Sequence, residues 1–158
     1  MKYLGLCLVL LVTGCDRIQE AIANKAAEKA VEGASGGPVK IDTSSGGTTV
    51  TDPKTGTTVT SGAAVKLPAG WPANVPVYPG ATIRNALASP GGKTATLVTK
   101  DPAAKVADFY KTKSGLKLES DIDLGQQHVL VFNNGKGTVT VSLGQAGTDT
   151  MVTLAVVD

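Results

Sequence analysis

His128 is the only histidine in this chain of 158 residues, and it is the first candidate for proton transfer. No cysteine is available to it, and no Ser or Asp spacing around it suggests a nucleophilic triad. Beside Val129 and Leu130 it reads as a packing or surface residue on a strand. Glu119, Asp121 and Asp123 have a spacing of two, which would place them on one strand face. An acidic edge that discourages strand addition is the simple account of them. Carboxylate catalysis would need one of them buried and perturbed. Asp121 to Gly125 imitates the start of a calcium loop, but the next ligand positions are Leu124 and Val131. Gly92-Lys93-Thr94 imitates the end of a phosphate loop, yet Leu87 stands where its first glycine belongs and Pro90 interrupts it. None of these patterns defines a reaction. The expectation is a protein that is not an enzyme and holds no cofactor and no metal.

Chemistry of another kind is concentrated at Cys15. Lys2 precedes an apolar run from Leu4 to Val12, and Val12-Thr13-Gly14-Cys15 closes it. A basic tip, a short apolar stretch and small residues at its end make a secretory signal. The run is too short to span a bilayer, which takes about 20 apolar residues. The tetrapeptide resembles the lipobox of bacterial lipoproteins. That resemblance implies a diacylglycerol thioether on Cys15, cleavage before it, and acylation of the new amine. It places the protein in the cell envelope, exported and held to a membrane by its lipid. Asp16 resembles the inner-membrane retention signal of enteric bacteria, a rule specific to that lineage, so inner and outer membranes both stay open. Cys7 would be removed with residues 1–14, leaving the mature domain without a disulfide or thiolate site. Removing Lys2 takes the basic count from 15 to 14, against 13 acidic residues. So balanced a charge, without a Lys/Arg-rich run, argues against a nucleic-acid partner.

The elements behind these residues fall into four parts. Residues 1–14 form the signal. Residues 15–33 carry the lipidated cysteine and an Ala-rich helix, Asp16 to Glu32, with Ile18, Ile22, Ala26 and Ala30 at steps of four. Residues 34–66 are rich in Gly, Ser and Thr and read as a tether. Within it Gly47 to Thr51 repeats as Gly56 to Thr60 across a turn at Asp52-Pro53, a possible β-hairpin, with Val39 to Asp42 as a possible third strand. Residues 67–158 read as a compact domain. A hairpin (Ala81 to Ala88, Lys93 to Lys100) leads to a helix with Asp101 as N-cap and Pro102 at its first position. Strands at Lys117 to Ile122, Gln127 to Phe132, Gly137 to Leu143 and Thr150 to Val157 follow. The expected fold class is α+β: an antiparallel sheet with one covering helix, ββα and then a β-meander, its other face threonine-rich and wet.

The domain opens on a strap, Leu67 to Gly80, in which Pro68, Pro72, Pro76 and Pro79 forbid a helix. Trp71, Val75, Val77 and Tyr78 would lie against the domain's own core edge or form a platform for a peptide or partner. Trp71, Val75 and Tyr78 are therefore the candidate interaction surface. Trp71-Pro72, Val75-Pro76, Tyr78-Pro79-Gly80-Ala81 and the later Phe109-Tyr110 resemble small bacterial envelope lipoproteins with a P-x-x-V-P-x-Y-P-G-A strap. The resemblance spans Leu67 to Leu116 and implies lipid anchoring and an α+β domain, with no activity to transfer. The expected role is a structural or protein-interaction part of an envelope assembly. The alternative is a module holding a peptide or lipidic molecule between the strap and the sheet. The expected partners are the membrane, through Cys15, and other envelope proteins.

Overall fold

In the C-terminal third, apolar and hydroxyl residues alternate, and the backbone follows that period. The computed structural model describes residues 37–43 and 46–157, together with Lys25 and Lys29, which are helical and exposed. Cys15, the lipobox and the rest of the Ala-rich segment lie outside the described residues.

Among the described residues nine strands run in chain order: β1 (Lys40–Asp42), β2 (Gly47–Asp52), β3 (Thr57–Gly62), β4 (Thr82–Ser89), β5 (Gly92–Thr99), β6 (Lys117–Asp123), β7 (Gln127–Asn133), β8 (Thr138–Ala146) and β9 (Asp149–Val157). A helix, α1 (Ala103–Lys113), joins β5 to β6. All nine strands belong to one sheet, ordered β1-β2-β3-β4-β5-β9-β8-β7-β6, with every pairing antiparallel. The first five form a meander. The chain then crosses through α1 to the far edge and returns as a second meander, whose last strand closes the sheet against β5.

This corrects the expected α+β class: the molecule is mainly an antiparallel sheet. The segment read as a tether supplies three of its strands, because β3 pairs with β4 from Thr58–Ala88 to Ser61–Asn85. Extended Thr/Val chain that finds a hydrogen-bonding neighbour on each side has no reason to stay a coil. The 11 residues of α1 extend about 16 Å at a helical rise of 1.5 Å per residue. Nine strands spaced about 4.8 Å apart span roughly 40 Å. One such helix cannot cover that sheet.

The core lies on the side where α1 and the strap pack. Leu97 of β5, Val152, Leu154 and Val156 of β9, Val139, Val141 and Leu143 of β8, and Leu130 and Phe132 of β7 are sealed there. Val106, Ala107 and Tyr110 of α1 and Val75 and Tyr78 of the strap complete the cluster. Fully burying one large apolar side chain contributes about 1.5–3 kcal/mol. The opposite, outer face of these strands alternates with the buried positions and stays open.

One glycine pair shows why the β2–β3 hairpin needs its composition. Gly47 and Gly62 face each other across the ladder. A Cβ on Gly62 would stand 2.6 Å from the Gly47 Cα, and one on Gly47 would stand 2.7 Å from the Ser61 carbonyl oxygen. Thr49 with Thr60, and Thr51 with Thr58, meet on the inner face with hydroxyls 3.1 and 3.4 Å apart.

Candidate functional site

The strap seals the end of the core. Trp71 is half-buried, and its indole Nε1 donates to the Val75 carbonyl at 2.9 Å, bending Pro72 to Asn74 into a turn. Val75 is 3% and Tyr78 4% exposed. Of the three candidate interaction residues, only Trp71 keeps appreciable surface. Around Val75 and Tyr78 the space between strap and sheet is filled by side chains of the core, but toward Leu67 and Pro68 a groove of about 390 Å³ opens onto Thr58, Thr60, Ala86 and Ala88.

The Tyr78 hydroxyl emerges at the start of α1 and donates to Asp101 Oδ2 at 2.7 Å. Asp101 Oδ1 accepts from Lys105 Nζ at 3.1 Å. The expected N-cap role of Asp101 is therefore not realised. Pro102 occupies the N-cap with extended backbone, and no side chain caps the helix. The phenol and the ammonium compete for the carboxylate that would have capped it. Hydrogen bonding from Tyr78 and then Lys105 holds Asp101 below the usual carboxylate range. The same bond, reinforced by burial, raises Tyr78 to about 12. Phe109 stands edge-on to Tyr78 at 5.2 Å and to Tyr110 at 5.1 Å.

Two open grooves meet at Pro79 and Asp101. One, of about 490 Å³, lies between strap and helix and includes Tyr78, Phe109, Lys105 and Thr112. The other, of about 380 Å³, runs along the ends of β4 and β5 past Thr82, Arg84, Lys100 and Asp149. Arg84 occupies a β-bulge, where the register shifts between Ile83 and Asn85.

Tyr110 carries a polar atom that these arrangements do not use. It is 1% exposed, and its hydroxyl has no hydrogen-bond partner among the described residues. Burial drives its ionisation far above that of a free tyrosine and outweighs the lowering pull of the Tyr78 backbone, which completes no hydrogen bond to it. A buried hydroxyl without a partner costs about 1–3 kcal/mol. Tyr110→Phe is therefore expected to leave stability unchanged or raise it by about 1 kcal/mol. Urea denaturation of both proteins checks this, and a loss above about 1 kcal/mol would reveal a partner for the hydroxyl.

The sequence candidates for catalysis gather at the β6 edge. His128 Nε2 pairs with Asp121 Oδ1, and Lys111 Nζ lies 3.1 Å from Asp121 Oδ2 and 3.8 Å from Asp108 Oδ1. Hydrogen bonds from His128 and then Lys111 hold the Asp121 carboxyl below its usual range. Glu119 falls at a second bulge, between Leu118 and Ser120, which breaks the spacing of two. It accepts from Asn133 Nδ2 at 3.1 Å. Asp123 accepts the Gly125 amide at 2.8 Å, so the calcium-like run is a turn that caps itself. Gly92 to Thr94 begins β5, and a Cβ on Gly92 would stand 2.5 Å from the Val156 carbonyl oxygen. Close backbone approach explains that glycine.

The outer face was not singled out from the sequence beyond its threonine content. Direct partners trace a rung across all nine strands. It begins with Ile41, Val50, Val59 and Leu87 on β1 to β4. It continues through Thr94, Ala155, Thr140, Val131 and Ser120. The adjacent rung runs from Thr48 through Ser61, Asn85 and Thr96 to Thr153, Ser142, Val129 and Ile122. No charged residue occupies either rung, although the chain has 15 basic and 13 acidic residues. Ile41 is buried, and the other members are half-buried or exposed.

A family model described as START domain-like matches residues 82–150, from the start of β4 through α1 to the start of β9. No curated protein and no solved structure matches the chain.

Proposed function

We propose that this protein is a lipid-anchored bacterial envelope lipoprotein, tethered through Cys15, whose sheet domain is a non-enzymatic protein-interaction module. The observation that carries the interaction reading is the uncharged outer face. Sheets normally bury their less polar face against a second layer. Here one rung free of charge crosses all nine strands and a second crosses eight, with no second layer of described residues over most of their length. Charged residues are depleted from the cores of protein interfaces. The lipobox resemblance supports export and anchoring, and an envelope partner follows from that location.

A photo-crosslinking residue at Thr96, on the outer face, tests the interaction in cells expressing the full chain. A discrete adduct is expected from Thr96 and not from Ala104, which is exposed on α1. Equal labelling from both positions, or none from Thr96, would remove the outer face from the proposal.

A second reading is ligand binding, favoured by the START domain-like match and by the groove beside Tyr78 and Phe109. The ligand would lie between strap and helix, or between strap and sheet in the groove that Leu67 and Pro68 form with Thr58, Thr60, Ala86 and Ala88. Amide NMR shifts of Phe109 and Thr112, which line the first groove, or of Ala86 and Ala88, which line the second, should move on titration with envelope extracts if a ligand binds. An unchanged spectrum counts against this reading.

A further inference from the structure

We infer that the occupant of the outer face is a second copy of this chain, packed sheet against sheet. This rests on the interaction reading and names its partner. The first reason is chemical self-matching. The middle of the face presents Thr94, Thr96, Thr140, Ser142 and Thr153, on neighbouring central strands. A hydroxyl both donates and accepts, so two identical hydroxyl surfaces related by a two-fold axis can satisfy one another. A face of ammonium or carboxylate groups would repel its own copy. The second reason is size. Nine strands spaced about 4.8 Å apart span roughly 40 Å, and two rungs at about 7 Å of strand each cover roughly 14 Å, on the order of 550 Å² before the relief of the side chains is counted. That approaches the roughly 600–1,000 Å² that each partner contributes to a standard stable interface.

The third reason is shape. Side chains on the two rungs are predominantly β-branched or small, and only Asn85 and Leu87 depart from that. Facing sheets pack about 10 Å apart when such side chains interdigitate. Larger apolar groups sit at or toward the edges, Val50 and Val59 on one side and Ile122 on the other. A two-fold mate would cover them without a gap at the centre. Net charge does not oppose association, being +2 for the full chain.

The test measures the mass of the full-length lipidated protein in a mild detergent by light scattering, with the detergent contribution subtracted. The expected mass is that of two chains. Thr96→Lys combined with Ser142→Lys places two charges on the face, two strands apart, and is expected to give one chain. Circular dichroism establishes that this variant keeps its sheet. Should it fail to fold, Thr140→Lys alone serves the same purpose. A wild-type protein with the mass of one chain at about 100 μM overturns self-pairing, given that standard interfaces bind far more tightly. If that monomeric protein still gives the Thr96 photo-adduct with a different protein, the interaction reading survives and the copy is the wrong occupant. If the adduct is absent as well, both fail. A dimer that the lysines leave intact also overturns the inference, because its interface must lie elsewhere.

Discussion

Replacing Phe132 by alanine is expected to destabilise the domain by about 3–5 kcal/mol, the range for aromatic truncation in a packed core. Phe132 is fully buried on β7, with Val139 directly opposite it on β8 and Leu118 on β6. Truncation would leave a cavity in a cluster that includes Tyr110 and Val106 of α1. The sheet domain has no disulfide to offset the loss, because both cysteines of the sequence, Cys7 and Cys15, precede it. Native stability is typically about 5–15 kcal/mol, so the variant should be marginal at growth temperature. Urea denaturation of the two proteins measures the difference. A loss below about 1 kcal/mol would mean that the site collapses around the missing ring, contrary to the packing described.

The second large effect concerns location. Cys15→Ala should abolish incorporation of labelled palmitate and shift the protein from the carbonate-washed membrane fraction to the soluble fraction. Each buried methylene of an acyl chain contributes about 0.8 kcal/mol, and two or more chains give stable anchoring. Labelling separates a lipid anchor from retention of an uncut signal. If the variant pellets but takes up no label, the signal itself holds it. If it still takes up label, Cys15 is not the lipidated residue.

These predictions draw on different depths of legibility in the sequence. Strands β8 and β9 were plain, because Val139, Val141 and Leu143, and then Val152, Leu154 and Val156, alternate without interruption. Helix α1 was also visible, from the Val106, Phe109 and Tyr110 spacing and from Gly115, which adopts a positive φ of 67° just beyond it. The β2–β3 hairpin was legible as a repeat, but its attachment to β4 was not. The strap separates the two strands, and no local pattern reports a pairing across it. The cap at Asp101 misled for a similar reason. Local preference favours a carboxylate at that position, whereas Tyr78, 23 residues earlier, claims the oxygen. The outer face was legible only as threonine content. Its continuity depends on the register of eight successive pairings, and those include two bulges that shift the phase of β4 and β6.

Strand order also sets the timing of assembly. The strand that joins the two meanders, β9, follows the other eight described strands in the chain and sits between β5 and β8. Until it arrives, β5 and β8 present bare hydrogen-bonding edges, and the core side has a missing row where Val152, Leu154 and Val156 belong. The first meander can form early but cannot be locked. Contacts so distant in sequence slow folding, and a chain that cannot close its sheet until the end stays extended longer. On the export reading proposed above, that delay would keep the chain threadable until its closing strand had followed the other eight.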